Sequence, residues 1–329
     1  MSQTSLGMPA MPPPTTAPTW KQAWDEALYG ERGFFRRESP ADHFRTSVHA
    51  SPLLARALLR LCQEVGLDTV VDVGSGRGEL LRQLHDLAPD LTLLGVEVAP
   101  RPADLPEAIA WSPVLPTEVD GLVFANEWLD NVPCHVVEAD DDGVVRVVHV
   151  DESGTESLGA RVDDRSVPPS LKAWCDLWWP LAAGERGEVG TTRDRAWADV
   201  VGRVTRGLAI AVDYGHLKDD RPPFGSLRSY RDGHEVEVLP DGSRDVTAHV
   251  AVDAVAEAAR GFVTSQREAL RALGVSGQRP SLDLATTDPT GYLKGLAEAG
   301  EAAELTGPGL GDFYWVVSAV GVDPGSLRA

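Results

Sequence analysis

The sequence is poor in cysteine and in positive charge, and it contains no long apolar run. Its three cysteines, Cys62, Cys134 and Cys175, are scattered and odd in number. No C-x-x-C or H-E-x-x-H spacing occurs, and the eight histidines do not cluster; His43 and His49 read as surface or hydrogen-bonding residues. That pattern argues against a disulfide framework and a zinc site, so no metal is expected and a reduced, cytoplasmic setting is. No apolar stretch reaches the roughly 18 residues that a bilayer span requires. Lys and Arg number 30 against 50 Asp and Glu, for a net charge of −20. Such a surface disfavours nonspecific binding to nucleic acid or anionic lipid. It reads first as solubilising, and it is compatible with a basic substrate. Met1 to Thr19 carries Pro12-Pro13-Pro14 and no basic residue, unlike a signal or transit peptide, and reads as a disordered tail. No internal repeat is evident.

What is present is more specific. With 329 residues and 43% apolar composition, the chain can hold one large α/β domain with an insertion, or two modest domains. Val70-Val71-Asp72-Val73-Gly74-Ser75-Gly76-Arg77-Gly78-Glu79-Leu80 reads as an apolar strand, a glycine turn and a helix start. The dinucleotide fingerprint G-x-G-x-x-G places its third glycine later, so that a pyrophosphate meets the helix N-terminus. Here Gly78 comes one position early and Glu79 occupies the fingerprint position. A carboxylate there repels a pyrophosphate but not a sulfonium, so the spacing favours S-adenosylmethionine over a dinucleotide. Glu97 ends the next apolar strand about 20 residues on, where an acidic group typically holds ribose hydroxyls. The turn alone would fit an ordinary strand–helix connection; the two acids argue against that.

Strand–helix alternation continues through Ile109–Trp111 and Gly121–Asn126, which predicts a doubly wound, mostly parallel, Rossmann-like sheet. Cys134 to Glu138 and Val144 to Val150 flank Asp140-Asp141-Asp142-Gly143, a hairpin signal. A Trp-rich helix follows with Trp174, Trp178 and Trp179, and then a helix from Thr191 to Arg206. The sheet resumes at Gly207–Gly215, and Phe313–Val320 supplies the last strand. The expected organisation is a tail over 1–19, a helical segment over 20–66, and core over 67–133. An α+β insertion over 134–206 and the rest of the core over 207–329 complete it.

Several segments resemble the MidA family of class I methyltransferases. These are Ala27–Phe35, Phe44-Arg45-Thr46-Ser47, Ala125-Asn126-Glu127-Trp128-Leu129-Asp130-Asn131-Val132-Pro133, Val212–His216, Leu227–Tyr230, Asp245–Val250 and Gln266–Leu270. The family includes the mitochondrial complex I assembly methyltransferase, which modifies an arginine of a complex I subunit. Departures exist: Thr46–Ser51 lacks the family's acid, Asp72 stands where Glu is usual, and Trp128-Leu129 replace two aromatics. The resemblance implies methyl transfer from S-adenosyl-L-methionine to an arginine of a partner protein, in the setting of respiratory complex assembly. Two readings stay open beside it: a cofactor-binding assembly factor without catalysis, and a small-molecule methyltransferase. A homodimer is compatible with the sequence.

The candidate cofactor residues are Asp72, Gly74, Gly76, Gly78, Glu97, Ser112 and Asn126. Asp72 would fix the glycine turn and reach the methionine ammonium, and Ser112 would lie near the adenine. Asn126, Glu127, Asp130 and Tyr214 are the candidate catalytic residues, all following core strands at their carboxyl ends, where open α/β sheets bind ligands. The spacing of Glu127 and Asp130 puts both on one face if the turn is helical. Both carboxylates would orient a guanidinium; the residues alone fit an N-cap and a solvated first turn equally well. Tyr214 would cover the substrate or donate to it, or be a half-buried aromatic at a sheet end.

Overall fold

The computed structural model describes residues 17–37 and 51–328. The Phe44–Ser47 motif, the departure over Thr46–Ala50, and His43 and His49 lie outside the described residues, as does most of the expected tail. Thr19, within that tail, pairs with His149, and its side chain caps the first helix with Gln22 in reciprocal hydrogen bonds.

Helices α1 (Trp20–Tyr29), α2 (Phe34–Arg37) and α3 (Leu53–Val65) lead into β1 (Thr69–Val73), α4 (Glu79–Leu87), β2 (Thr92–Val96), β3 (Ile109–Ser112) and β4 (Val119–Asn126). Next come β5 (His135–Ala139), β6 (Val145–Val150), β7 (Glu156–Arg161), α5 (Pro169–Trp178), β8 (Arg186–Val189) and α6 (Thr191–Gly202). The chain continues through β9 (Val204–Asp213), β10 (Gly215–His216), β11 (Arg228–Arg231), β12 (His234–Val236), β13 (Asp245–Thr247) and β14 (Val250–Ala251). It ends with α7 (Val252–Ala258), β15 (Phe262–Ser265), α8 (Gln266–Ala272), α9 (Leu282–Thr287), α10 (Pro289–Thr306) and β16 (Tyr314–Val320).

Seven strands form the central sheet in the order β15-β16-β9-β4-β1-β2-β3. β3, β2, β1, β4 and β9 run parallel, and β16 is antiparallel to both its neighbours. Parallel strands buried on both faces need continuous apolar sequence. Val70, Val71 and Val73 of β1 and Leu122 to Ala125 of β4 supply it. One face packs Leu54, Leu58 and Leu61 of α3 with Leu80 and Leu84 of α4. Each such buried leucine contributes about 1.5–3 kcal/mol. The other face packs Trp197 and Val200 of α6 and Val255 of α7.

This placement narrows the expected insertion. The helix predicted to reach Arg206 stops at Gly202, because Val204 to Arg206 already pair with β4. α6 packs on the central sheet, so the added α+β layer spans β5 to β8, a four-stranded antiparallel sheet with α5. A second, three-stranded sheet, β12-β11-β13, lies between β9 and β15 in the chain and was not anticipated. α1 seats Trp20, Trp24 and Leu28 against Val136, Val148 and Val246, so it joins both additions. No helix among the described residues is long and apolar enough to cross a membrane.

Candidate active site

The glycine turn is built by geometry that only glycine adopts cheaply. Gly74, Gly76 and Gly78 have φ of 72°, 56° and 77°. Gly74 N–H donates to the Val96 carbonyl at 2.9 Å, and a Cβ there would stand 2.8 Å from Trp128 Cδ1. Gly76 N–H donates to Glu97 Oε2, and Ala99 N–H donates to Glu97 Oε1, each at 3.1 Å. Glu97 therefore ties the turn to the end of β2. Asp72 is buried, and its Oδ2 accepts from Ser75 Oγ at 2.7 Å. Burial, reinforced by the nearby Glu79 and Glu97 charges, raises the Asp72 carboxyl to about 7.

The segment after β4 is not helical. Glu127 is in left-handed backbone with φ 50°, a conformation costing about 1–3 kcal/mol in a residue with a side chain. It is held by its own N–H on the Val212 carbonyl at 2.8 Å and by Asp213. Asp213 Oδ2 accepts from the Leu129 and Asp130 N–H groups, and its Oδ1 from Tyr214 N–H. The expected N-cap role thus falls to Asp213 on the neighbouring strand, and the expected shared helical face does not exist. The left-handed turn nevertheless presents Glu127 and Asp130 to one cavity. Asn126 Nδ2 donates to Glu127 Oε1 at 3.0 Å, while its buried Oδ1 accepts nothing.

Asp130 Oδ2 accepts from Tyr214 Oη and from Thr247 Oγ1, the latter at 2.7 Å. Burial raises the carboxyls of Asp130, Asp213 and Asp245 above the usual range, and the Asp130 charge pushes the other two further. Burial and the Asp130 charge likewise hold the Tyr214 phenol protonated. Arg193, 1% exposed, knits the region: it donates to the carbonyls of Asp130, Val132, Ala248 and His249.

A cavity of about 980 Å³ joins these parts. Asp72, Gly74, Gly76 and Glu97 line one end; Asn126, Glu127, Asp130 and Tyr214 line the other, with Tyr29, Tyr230, Asp245 and Thr247. Two predicted residues stand outside it. Gly78 caps α4, and Ser112 turns its hydroxyl onto Val114 in a local loop, leaving Pro113 and Leu115 on the cavity wall. Asp213, Asp245, Thr247 and Arg193 are the site residues that the sequence reading missed. Asp213 carries the signal that marked Glu97, an acid ending an apolar strand, whereas nothing local marks Arg193. Among the described residues, no group of three or more His, Cys, Asp or Glu is placed to hold a metal ion.

Sheet order, glycine cradle and strand-end acids define a Rossmann-like α/β fold of the kind that carries adenosine cofactors. The chain belongs to the family described as "Putative S-adenosyl-L-methionine-dependent methyltransferase", whose profile matches residues 53–268. This agrees with the resemblance to MidA-like class I methyltransferases. A COG1565 superfamily member from Burkholderia thailandensis, crystallised with S-adenosyl-homocysteine, is similar at 21% identity and TM-score 0.74, over 93% of this chain and 88% of that one. A second COG1565 superfamily structure from the same organism is similar at 23% identity and TM-score 0.73, with the same coverages. No curated protein matches the sequence.

The cofactor is S-adenosyl-L-methionine, and the residues fit it. Asp72 and Glu97 line the cradle without an ion-pair partner among the described residues, which suits an ammonium and a sulfonium and opposes a pyrophosphate. The backbone at Gly76, where a Cβ would meet only Glu79 Oε2 at 3.5 Å, leaves the open approach that an adenosine moiety needs.

Proposed function

We propose that the protein transfers a methyl group from S-adenosyl-L-methionine to the guanidinium of an arginine in a partner protein. The observation that carries this reading is the cavity's far end, where Glu127, Asp130 and Asp245 converge while the nearby Arg193 spends its donors on main-chain carbonyls. Asp130 and Asp245 are buried there, and burial raises both carboxyls, a condition that a cationic ligand reverses. The MidA resemblance adds the arginine target, and with it a setting in respiratory complex assembly.

When bound, the cofactor supplies an electrophilic methyl carbon. Asp72, Gly74, Gly76, Glu97 and Asn126 hold it in this reading. Glu127 and Asp130 orient the guanidinium, localise its charge on one side, and take up the proton that its nitrogen loses on methylation. Tyr214 fixes the Asp130 carboxylate through its hydroxyl and helps exclude water.

The test is incubation of the protein with tritiated S-adenosyl-L-methionine and a pool of arginine-bearing peptides, followed by amino-acid analysis. Label in methylarginine supports the reading. Label confined to another residue type, or no transfer to any member of the pool by protein that binds the cofactor, contradicts it.

A further inference from the structure

The substrate end of the cavity has a wall supplied from outside the central sheet. Asp245 and Thr247 sit two apart on β13, so their side chains leave the same side of the strand about 7 Å apart. Both are buried, and both line the cavity. Thr247 Oγ1 donates to Asp130 Oδ2 at 2.7 Å, and Asn131 Nδ2 donates to Asp245 Oδ1 at 2.8 Å. The adjacent residues Asp130 and Asn131 are thereby fastened to β13 at two points.

These bonds leave Asp130 incomplete. It is 4% exposed and lines the cavity, yet its buried Oδ1 accepts no hydrogen bond. A carboxylate oxygen without a donor in so dry a place is costly to keep ionised. Arg193 acts on it through its charge alone, because the Arg193 donors point at carbonyls. Tyr29 and Tyr230 stand in the same wall, and Tyr29 Oη donates to the Asn131 carbonyl at 3.2 Å.

We infer that Asp245 is a substrate-binding residue, forming with Asp130 a carboxylate pair that receives a guanidinium between Tyr29 and Tyr230. This rests on the arginine reading above. A guanidinium is planar and carries five donors, so it can serve two carboxylates separated across a wall and lie against aromatic faces. A lysine ammonium is a compact point charge that serves one of them. Burial and the Asp130 and Glu127 charges raise the Asp245 carboxyl, a condition that an arriving cation reverses. The β11–β13 sheet is then the element that selects the substrate, separate from the strands that hold the cofactor.

The test is calorimetric titration of the full-length protein, saturated with S-adenosylhomocysteine, with Nα-acetyl-arginine methylamide and its lysine counterpart. The native protein is expected to bind the arginine compound at least tenfold more tightly than the lysine compound. Asp245→Asn keeps an amide oxygen for the Asn131 donor, so S-adenosylhomocysteine affinity should hold while affinity for the arginine compound falls at least tenfold. Tyr230→Leu, on the same wall, is expected to weaken that compound several-fold and serves if the first variant does not fold. Undiminished arginine binding in a folded variant overturns the role of its wall residue and leaves the transferase reading standing. Equal affinity for the two compounds overturns guanidinium selection. No binding of the arginine compound by native protein overturns the inference together with the arginine reading.

Discussion

Asp213 holds Asp130 in place from the neighbouring strand: its Oδ2 accepts the Asp130 main-chain N–H at 3.1 Å and the Leu129 N–H at 3.0 Å. One carboxylate thus stabilises the left-handed turn that carries both Glu127 and Asp130 to the cavity. Asp213→Ala removes these acceptors and is expected to destabilise the protein by about 1–3 kcal/mol, the lost bonds being partly offset by relief of a buried charge. Methyl transfer should fall at least a hundredfold. Asp213→Asn keeps one acceptor oxygen and should lie between. Urea unfolding and initial rates on the three proteins check this.

The glycine turn separates steric cost from backbone cost. At Gly74 a side chain meets Trp128 at 2.8 Å and the backbone is left-handed. At Gly76 the space is open, with Glu79 Oε2 at 3.5 Å, and only the backbone penalty of about 1–2 kcal/mol remains. Gly74→Ala should therefore abolish measurable S-adenosylhomocysteine binding, and Gly76→Ala should weaken it about tenfold, both read by calorimetry.

Asp72 is expected to make cofactor binding sensitive to pH. Its carboxyl is raised to about 7 in the folded protein, from 3.8 in the unfolded chain. The protonated form is favoured by folding, so this group's contribution to stability is fully present below about pH 4 and is lost as pH rises through about 7. Binding a ligand ammonium favours the ionised form instead. Affinity for S-adenosylhomocysteine should rise with pH between about 6 and 8, by at most about tenfold per unit below 7, with proton release. Titrations in two buffers of different ionisation enthalpy measure that release, and Asp72→Asn should remove it.

Arg193 is a structural cation rather than a substrate-binding one. Besides its four carbonyl partners, its guanidinium lies 5.5 Å from the centre of the Trp24 ring. Arg193→Met removes the guanidinium donors from those carbonyls and the counter-charge from nearby buried acids. A loss of about 3–5 kcal/mol in unfolding free energy is expected.

The cofactor half of the site was legible because backbone geometry there dictates residue type. Positive φ at three positions demands glycine, and strand-end acids interrupt otherwise apolar runs. The substrate half was only partly legible. Glu127 and Asp130 were found at the end of β4, but a spacing of three suggested a helix, and the left-handed residue and its anchor on Asp213 depend on a strand more than 80 residues away. Asp245 and Thr247 sit on a strand of three residues, too short to show a period. Ser112 stands outside the cavity lining because a hydroxyl at a strand end can close a local turn as readily as face a ligand. The overlong α6 has a similar cause: Val204 and Thr205 can continue a helix by pattern, and pairing with β4 decides otherwise.

The most direct test of the account is single-turnover methyl transfer to an arginine peptide by native protein and Glu127→Gln, with S-adenosylhomocysteine affinity measured in parallel. The account predicts a rate lowered at least a hundredfold in the variant with affinity changed less than about threefold, because Glu127 acts on the guanidinium. An unchanged rate in a variant that binds the cofactor normally would contradict it.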